Sequence, residues 1–433
     1  MSDFSRTPRA ESAANDVVPV PANYDRGMAL RIRTVRDLDE QATAFSAIGH
    51  YFGWSPTRED AERFSPLLPA DRMHAVFDGD EIVGGAGAFP FGLTVPGGAL
   101  PCAGVTVVGV LPSHRRRGLL RRMMDTQLRD VRDRGEPIAA LWASEETIYG
   151  RFGYGLASIS HNIDADRHRV AIRRDLPHDG SVRLVTNDEA LRTFPRLYER
   201  VGRTRPGMIV RTRDWWSIRR LDDRPETRGG GGPLVRALLE RDGRPVGYAL
   251  YRLVKEGSTP ETWTKTIRVG EAVGVDDAAT REVWRFLLQI DWTDRVAAYH
   301  LPVDHPLPLL VDRINKLRLS VWDALWLRVV DVRASLAGRT YGAAGEVTVE
   351  VVSDPHFPEN VGRWTIDGGE VRRTRRRPDV RVAVDGLGSA FLGGISFGQL
   401  ARAGRAEEAA RGGIERADAA FRASAAPWCP EIF

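Results

Sequence analysis

Val107-Val108-Gly109-Val110-Leu111-Pro112-Ser113-His114-Arg115-Arg116-Arg117-Gly118-Leu119-Leu120-Arg121 is the stretch on which the fold turns. Val105 to Leu111 is the longest apolar run and reads as a buried strand. Pro112-Ser113-His114 is a loop, and a helical pattern begins near Arg117 and continues to Arg134. A strand that enters a tight loop and leaves as a helix presents unpaired backbone N–H groups, which carry partial positive charge. Gly118 lets a ligand come close to that backbone, and Arg116, Arg117 and Arg121 add full charges at the same place. The stretch therefore predicts a diphosphate site, set against the alternative of a solvated basic loop.

The same mixed pattern extends outward. Upstream, Leu30-Arg31-Ile32-Arg33 reads as a strand, Asp37–Ile48 as a helix with an acidic start and Thr57–Phe64 as a second helix. His74–Phe77 and Ile82–Phe89 are joined by the turn Asp78-Gly79-Asp80, and Leu93–Val95 pairs with Ala99–Val110 around Pro96-Gly97-Gly98. Downstream, Ile138–Trp142 is a short strand, Ser144–Phe152 a helical turn and Asp175–Gly180 a linker. A second α/β block, Val182 to about Val303, repeats part of this plan: Leu234–Glu240 with Val246–Val254, a strand at Thr266–Val275 and a helix at Ala279–Ile290. Gly274-Val275-Asp276-Asp277 stands where the arginine–glycine loop would be, so this block is read as a degenerate copy. The third block, from near Trp322, is α+β. It is expected to open with a strand at Leu325–Val332 and to carry a helix from Val332 to Ala337, strands at Thr348–Val352, Gly362–Ile366 and Val380–Val384, and helices at Leu387–Phe391, Ser396–Ala403 and Glu407–Ala420. Arg372–Arg377 reads as a charged, solvated hairpin loop.

The 433 residues suggest two to four domains. With 42% hydrophobic and 28% charged residues the composition is that of an ordinary globular protein. No apolar run approaches the roughly 18 residues of a membrane helix. Residues 1–27 are polar and Ala/Ser/Pro-rich, expected to be a disordered leader without a signal peptide, and the default compartment is the cytoplasm. Net charge is +4, and Lys255, Lys265 and Lys316 are the only lysines among the 62 basic residues. The arginines are spread along the chain without an interleaved aromatic motif, which discounts nucleic-acid binding. Cys102 and Cys429 exclude a disulfide framework and a cysteine-rich zinc site and read as buried thiols. His50, His74, His161 and His168 lack metal-ligand spacing.

The loop follows the Arg-x-x-Gly-x-(Gly/Ala) pattern of the GCN5-related N-acetyltransferases (GNAT), with Leu120 in place of the last small residue. Further on stands Ser144-Glu145-Glu146-Thr147-Ile148-Tyr149-Gly150-Arg151-Phe152-Gly153-Tyr154-Gly155. With Leu325-Trp326-Leu327-Arg328 and a terminal Phe433, the chain from about Ala29 to Phe433 resembles the Eis (enhanced intracellular survival) family of bacterial acetyltransferases. The resemblance implies tandem GNAT-fold domains, the second degenerate, and a C-terminal sterol-carrier-protein-like domain: 28–178 binding acetyl-CoA, 179–318, and 319–433 delivering the C-terminal carboxylate. It implies a homohexamer that acetylates amines of aminoglycosides, polyamines or protein lysines. Val108, Gly109 and Val110 match the strand that holds the cofactor through its backbone. Arg116, Arg117, Gly118, Leu119, Leu120 and Arg121 match its pyrophosphate loop, and Ser144 and Glu145 a further cofactor contact. Tyr149 matches the general acid, and the free carboxylate of Phe433 the general base.

Acetyl transfer to an amine needs a neutral amine, a polarised carbonyl and a proton for the departing thiolate. Val108–Val110 can offer a backbone N–H to the carbonyl if a bulge splays the strand; Gly109 serves that, or packing alone. A tyrosine at about 10 donates to a thiolate at about 8.5 uphill by about 1.5 units. Spacing alone does not choose between Tyr149 and Tyr154; the resemblance chooses Tyr149. A carboxylate taking a proton from a free ammonium would cost about 8–9 kcal/mol, so removal is expected late, from the adduct, with water as relay. Trp54 and Phe64, with Glu59, Asp60 and Glu62 nearby, are expected to line the acceptor pocket together with Glu431. Ile432 stands where relatives often carry an acid, which predicts a more apolar and aromatic pocket than usual. No cysteine is placed as a nucleophile, so transfer is expected to be direct. The rival is a non-catalytic scaffold whose third block binds a lipid.

Overall fold

The computed structural model describes residues 30–433 apart from 258, 260, 261, 343 and 344. The expected leader, 1–27, lies outside the described residues. The first part of the chain forms β1 (Arg31–Thr34), α1 (Leu38–Phe52), α2 (Arg58–Phe64), β2 (Met73–Asp78), β3 (Glu81–Val95), β4 (Gly98–Val110), α3 (Leu119–Asp133), β5 (Ile138–Trp142), α4 (Glu146–Tyr149) and β6 (Gly155–Leu156). The middle forms β7 (Ile159–Asp166), β8 (Ser181–Leu184), α5 (Asn187–Gly202), the single turn α6 (Arg213–Trp215), β9 (Val235–Arg241), β10 (Arg244–Glu256), β11 (Thr264–Gly274), α7 (Asp277–Gln289), β12 (Arg295–Pro302) and β13 (Ser320–Asp323). The last part adds β14 (Leu325–Val329), β15 (Val347–Val351), β16 (Gly362–Asp367), β17 (Glu370–Thr374), β18 (Val380–Val382), β19 (Ala406–Glu408) and four short helices.

Local chemistry sets the helix starts. Asp37 caps α1 by accepting from the N–H groups of Asp39 and Glu40, and Thr57 with Asp60 forms a reciprocal capping box on α2.

The strands assemble into three sheets, ordered β1-β2-β3-β4-β5-β14-β6, β13-β7-β12-β11-β10-β9-β8 and β17-β16-β15-β18-β19. The chain crosses between the first two sheets twice. Ile159–Asp166, expected within the first block, pairs with β12 and β13 of the second sheet. Leu325–Val329, expected to open the third block, lies antiparallel to β5 in the first sheet, from Leu325 opposite Trp142 to Val329 opposite Ile138. Burial explains the insertion: Leu325, Leu327 and Val329 are fully buried in the core shared by the first sheet and the third unit. Arg328, on the same strand and also fully buried, donates to Asp354 of the third unit at 2.5 Å.

Two local expectations need correction. Glu370–Thr374 is a strand, so Arg372 and Arg373 are not in a free loop: Arg372 pairs with Glu346 at 3.2 Å and Arg373 lies 5.5 Å over Trp364. Glu407–Ala420 is not one helix. Ala406–Glu408 pairs with β18, Gly412 turns the chain at φ +70°, and only Gly413–Phe421 is helical.

Candidate active site

β4 and β5 run parallel only from Cys102 opposite Ile138 to Gly104 opposite Ala140. Beyond Gly104, β4 continues to Val110 without β5 alongside it, so the two strands open into a V. On its other side β4 slips register against β3 between the pairs Gly87–Thr106 and Gly85–Gly109. The extra residue is a bulge in which Val107 takes φ +48°. A β-branched side chain there is strained, at about 1–3 kcal/mol. The expected bulge is thus present, immediately before Val108–Val110. Gly109 has a packing duty as well: a Cβ there would stand 2.9 Å from the backbone of Ile48, so its absence lets α1 seat on the strand.

The loop after β4 reverses direction through two left-handed residues, Arg116 at φ +62° and Gly118 at φ +74°. Gly118 is the N-cap of α3 and supplies no side-chain cap, leaving the first helical N–H groups free. The space where its Cβ would lie is open. Arg117 reaches Asp78 at 3.4 Å, whereas Arg116 and Arg121 have no carboxylate within ion-pair distance among the described residues. Leu119 is buried and Leu120 half-buried, both packed into the core, which is how the loop tolerates Leu120 at a position of small residues. Open donors, free guanidinium groups and an empty cradle fit a diphosphate. Ser144 is exposed at the mouth of the V, and Glu145 is the N-cap of α4, accepting from Thr147 Oγ1 at 2.5 Å.

Tyr149 ends α4 and packs edge-on to Tyr154 at 6.0 Å. Burial pushes its hydroxyl up to about 12. Tyr154 is sealed completely, its hydroxyl without a partner, and burial raises it further. Both cysteines are buried, and burial raises both thiols, Cys429 to about 12.

The C-terminal tail threads between the first and second sheets. Trp428 N–H donates to Pro206 O at 2.8 Å and its indole to His300 O at 2.6 Å. Arg219 donates to Ile432 O at 2.8 Å. The ring of Phe433 sits edge-on to Phe91 of β3 at 4.9 Å, in an aromatic cluster completed by Phe89 and Trp215. The chain end is therefore anchored on the first sheet.

Beside the tail is a cavity of about 380 Å³. Phe64 and Glu431 line it; Trp54 does not, and stacks on Phe45 at 6.2 Å. The acids of α2 are absent from its wall: Asp60 is committed to the capping box, and Arg63 faces the cavity in their place. Glu431 is 2% exposed and locked in a buried ion cluster with Arg211, Arg220 and Glu271. Burial alone would raise the Glu271 carboxyl, but Arg211 and Arg220 outweigh it and hold it down to about 2. His300, against Trp142 at 4.6 Å, also lines the cavity, and burial with nearby Arg220 lowers it to about 4. Arg211, Arg219, Arg220 and His300 were not legible as site residues. Trp215-Trp216 amid arginines was the one local signal that this segment is buried.

Models of the acetyltransferase (GNAT) domain match residues 31–157 and 207–329, and a sterol carrier protein domain matches 332–430. An uncharacterized N-acetyltransferase of Streptomyces avermitilis is 39% identical, over 94% of this chain and all of its own length. The N-acetyltransferase Eis of Mycobacterium tuberculosis is 38% identical, over 84% of this chain and 90% of its own. The chain belongs to the Eis family of N-acetyltransferases. The crystal structure of Eis1 from Mycobacterium abscessus superposes on this Eis-family chain with a TM-score of 0.79 at 33% identity, covering 93% of this chain and 100% of the other. As an Eis-family member it is an acyltransferase with two GNAT domains and a sterol-carrier-like domain. The GNAT fold implies use of acetyl-CoA in general.

The second GNAT domain of this Eis-family enzyme keeps the scaffold. β10 and β11 slip register between Leu250–Glu271 and Tyr251–Val269, with Gly270 as the extra residue. β11 and β12 run parallel only from Thr266 to Val269. Where the first domain has an open helix start, Asp276 caps α7 by accepting from Ala279 N–H at 2.8 Å and is itself paired with Arg241 at 3.0 Å. Among the described residues, no helix is long and apolar enough to cross a membrane.

Proposed function

We propose that the enzyme transfers acetyl from acetyl-CoA to the amine of a small molecule by direct attack in the β4/β5 opening. The single observation that carries this is the continuity of three features: the bulged strand, the uncapped α3 start ringed by arginines, and a C-terminus pinned to the same sheet. Acetyl-CoA, when bound, supplies the activated acyl group. Arg116, Arg117, Arg121 and the N–H groups of Leu119 and Leu120 would hold its diphosphate, and Ser144 and Glu145 would make a further contact. Backbone N–H groups of Val108–Val110 would polarise the carbonyl.

Tyr149 would act as acid. At about 12 it stays protonated throughout the working range, but full transfer to a thiolate is then uphill by about 3.5 units, more than its ordinary value implies. Its role is a hydrogen bond that strengthens as charge grows on sulfur. Tyr149 keeps 7% exposure while Tyr154 keeps none, which supports Tyr149 as the group a substrate can reach. The Phe433 carboxylate would accept the amine proton. The buried, raised thiols support direct transfer rather than an acetyl-enzyme.

The aminoglycoside-type acceptor and the protein-lysine or polyamine alternatives draw no support from the cavity wall, whose two acids are both paired. A cytoplasmic homohexamer belongs to the same proposal; the edge strand β13 exposes Val321 and Trp322, 59% each, as surface for assembly. The test is thiol release from acetyl-CoA with a panel of amines. Tyr149→Phe should lower kcat by about 10²-fold or more with little change in acetyl-CoA affinity. Two glycines added after Phe433 should abolish turnover; unchanged rates would remove Tyr149 and the terminal carboxylate from the mechanism, and no thiol release with any amine would favour the lipid-binding scaffold.

A further inference from the structure

The cavity beside the tail is lined by four arginines, Arg63, Arg219, Arg220 and Arg268, and two carboxylates, Asp222 and Glu431. Both carboxylates are already engaged. Asp222 is held by Arg63 at 3.3 Å and by Arg224 at 3.2 Å. Glu431 is shared by Arg211 and Arg220, and the same two arginines meet Glu271, at 3.0 and 3.1 Å. Arg211 and Arg220 are thereby matched by two carboxylates. Arg219 and Arg268 are left with none within ion-pair distance among the described residues.

Their polar partners are backbone carbonyls. Arg219 donates to Ile432 O at 2.8 Å and Arg268 to Gly229 O at 3.1 Å. Arg219 also lies over Trp215 at 5.4 Å and Phe64 at 5.9 Å, contacts that serve the faces of the guanidinium and leave its remaining donors free. A half-buried cation without a counter-ion is costly, and burial, only partly offset by Glu431, lowers the Arg219 pKa. None of the other lining groups is a carboxylate. The one further anion of the tail is the Phe433 carboxylate, which the proposed mechanism assigns to the amine.

Arg219 reaches the carbonyl of Ile432, so the cavity adjoins the chain end to which the proposed mechanism brings the amine. Arginine presents forked donors that suit carboxylate oxygens, and a second cation in that place would be repelled. We infer that the acceptor is an amine that also bears a carboxylate, with the carboxylate seated on Arg219 and Arg268. The inference rests on the acetyl-transfer reading and names its substrate class: an amino acid or acid-bearing amine, in preference to a polycation.

Matched linear amines isolate the charge: aminohexanoate, hexylamine and diaminohexane, each with acetyl-CoA, followed by thiol release. In the wild-type enzyme kcat/KM should fall in that order, with aminohexanoate at least about tenfold above diaminohexane. Arg268→Gln, remote from the tail, and Arg219→Gln should each remove most of that preference. A diamine used as well as the amino acid, or a preference unchanged in both variants, overturns the inference. Calorimetry with the acetylated products separates it from the mechanism: acetamidohexanoate should bind at least about tenfold tighter than N-hexylacetamide. That result without any turnover keeps the anion site and refutes acetyl transfer. Equal binding of the two products overturns the anion site whatever the turnover.

Discussion

The two GNAT domains share a strand bulge and a parallel pair that parts after a few residues, and they differ at a helix start. In the first, Gly118 leaves the α3 N-terminus open beneath unpaired arginines. In the second, Asp276 fills the α7 N-terminus with its own carboxylate. At the second opening, Arg220 donates to Gly270 O at 3.0 Å, and Pro430 to Ile432 line the same cavity as Val269 and Gly270. The scaffold alone therefore does not make a cofactor site. One carboxylate at the helix start supplies both the hydrogen bonds and the charge that a diphosphate would bring. The degenerate domain has instead become the socket for the C-terminal tail, which it presents to the first sheet.

Breaking the socket should have the largest effect on stability. Arg211 is fully buried against Tyr198 and Trp216 and bridges Glu271 to Glu431. Arg211→Met should cost about 3–5 kcal/mol in chemical denaturation, because two buried carboxylates are left with Arg220 as their one ion-pair partner, beside the Tyr248 hydroxyl on Glu271. It should also cut turnover through release of the tail. A loss below about 1 kcal/mol would mean that the cluster is not what holds the tail.

Giving the first domain the charge of the second is the next test. Gly118→Asp places a carboxylate where the diphosphate is proposed to sit, at a position whose φ of +74° already disfavours a side chain. Acetyl-CoA affinity by calorimetry should fall about tenfold or more. Unaltered affinity would move the diphosphate elsewhere. The reciprocal change, Asp276→Ala, should lower stability by about 1 kcal/mol from the lost cap and leave acetyl-CoA affinity untouched. A weakened Kd there would show that the domains are coupled.

The smallest expected effect is a missing one. Burial raises the pKa of Tyr149, so the protonated acid form persists above the ordinary tyrosine value and is lost only near pH 12. The pH profile of kcat should show no alkaline decline between pH 7 and about 10.5. A descending limb centred near 10 would place Tyr149 in water or outside the mechanism.

The first domain was far more legible than the second. Its loop advertises itself because strand, turn and helix start are consecutive and each depends on nearby residues. The sequence also located the degenerate copy, since Asp276 replaces a glycine-and-arginine loop within one stretch. The cavity was not legible. Glu431 looked like an acid for a cationic substrate, but its charge is spent on Arg211 and Arg220, more than two hundred positions earlier in the chain. Arg219 and Arg268, which leave the cavity with surplus positive charge, carry no local signal: Arg268 falls within an expected strand, and the segment of Arg219 was given no role. Trp54, expected at the pocket with Phe64, lies just past the end of α1 and stacks back on Phe45 of that helix.

By itself the sequence determined the elements whose stability is local: the helix caps, the turn glycines, the bulge-prone strand and the arginine-rich loop. Tertiary structure alone decided which sheet β7 and β14 would join, because an apolar strand of Leu325, Leu327 and Val329 can be buried in any core that has an open edge. It also decided the sign of charge facing the cavity, because a carboxylate counts only after every guanidinium the fold brings to it has been paired.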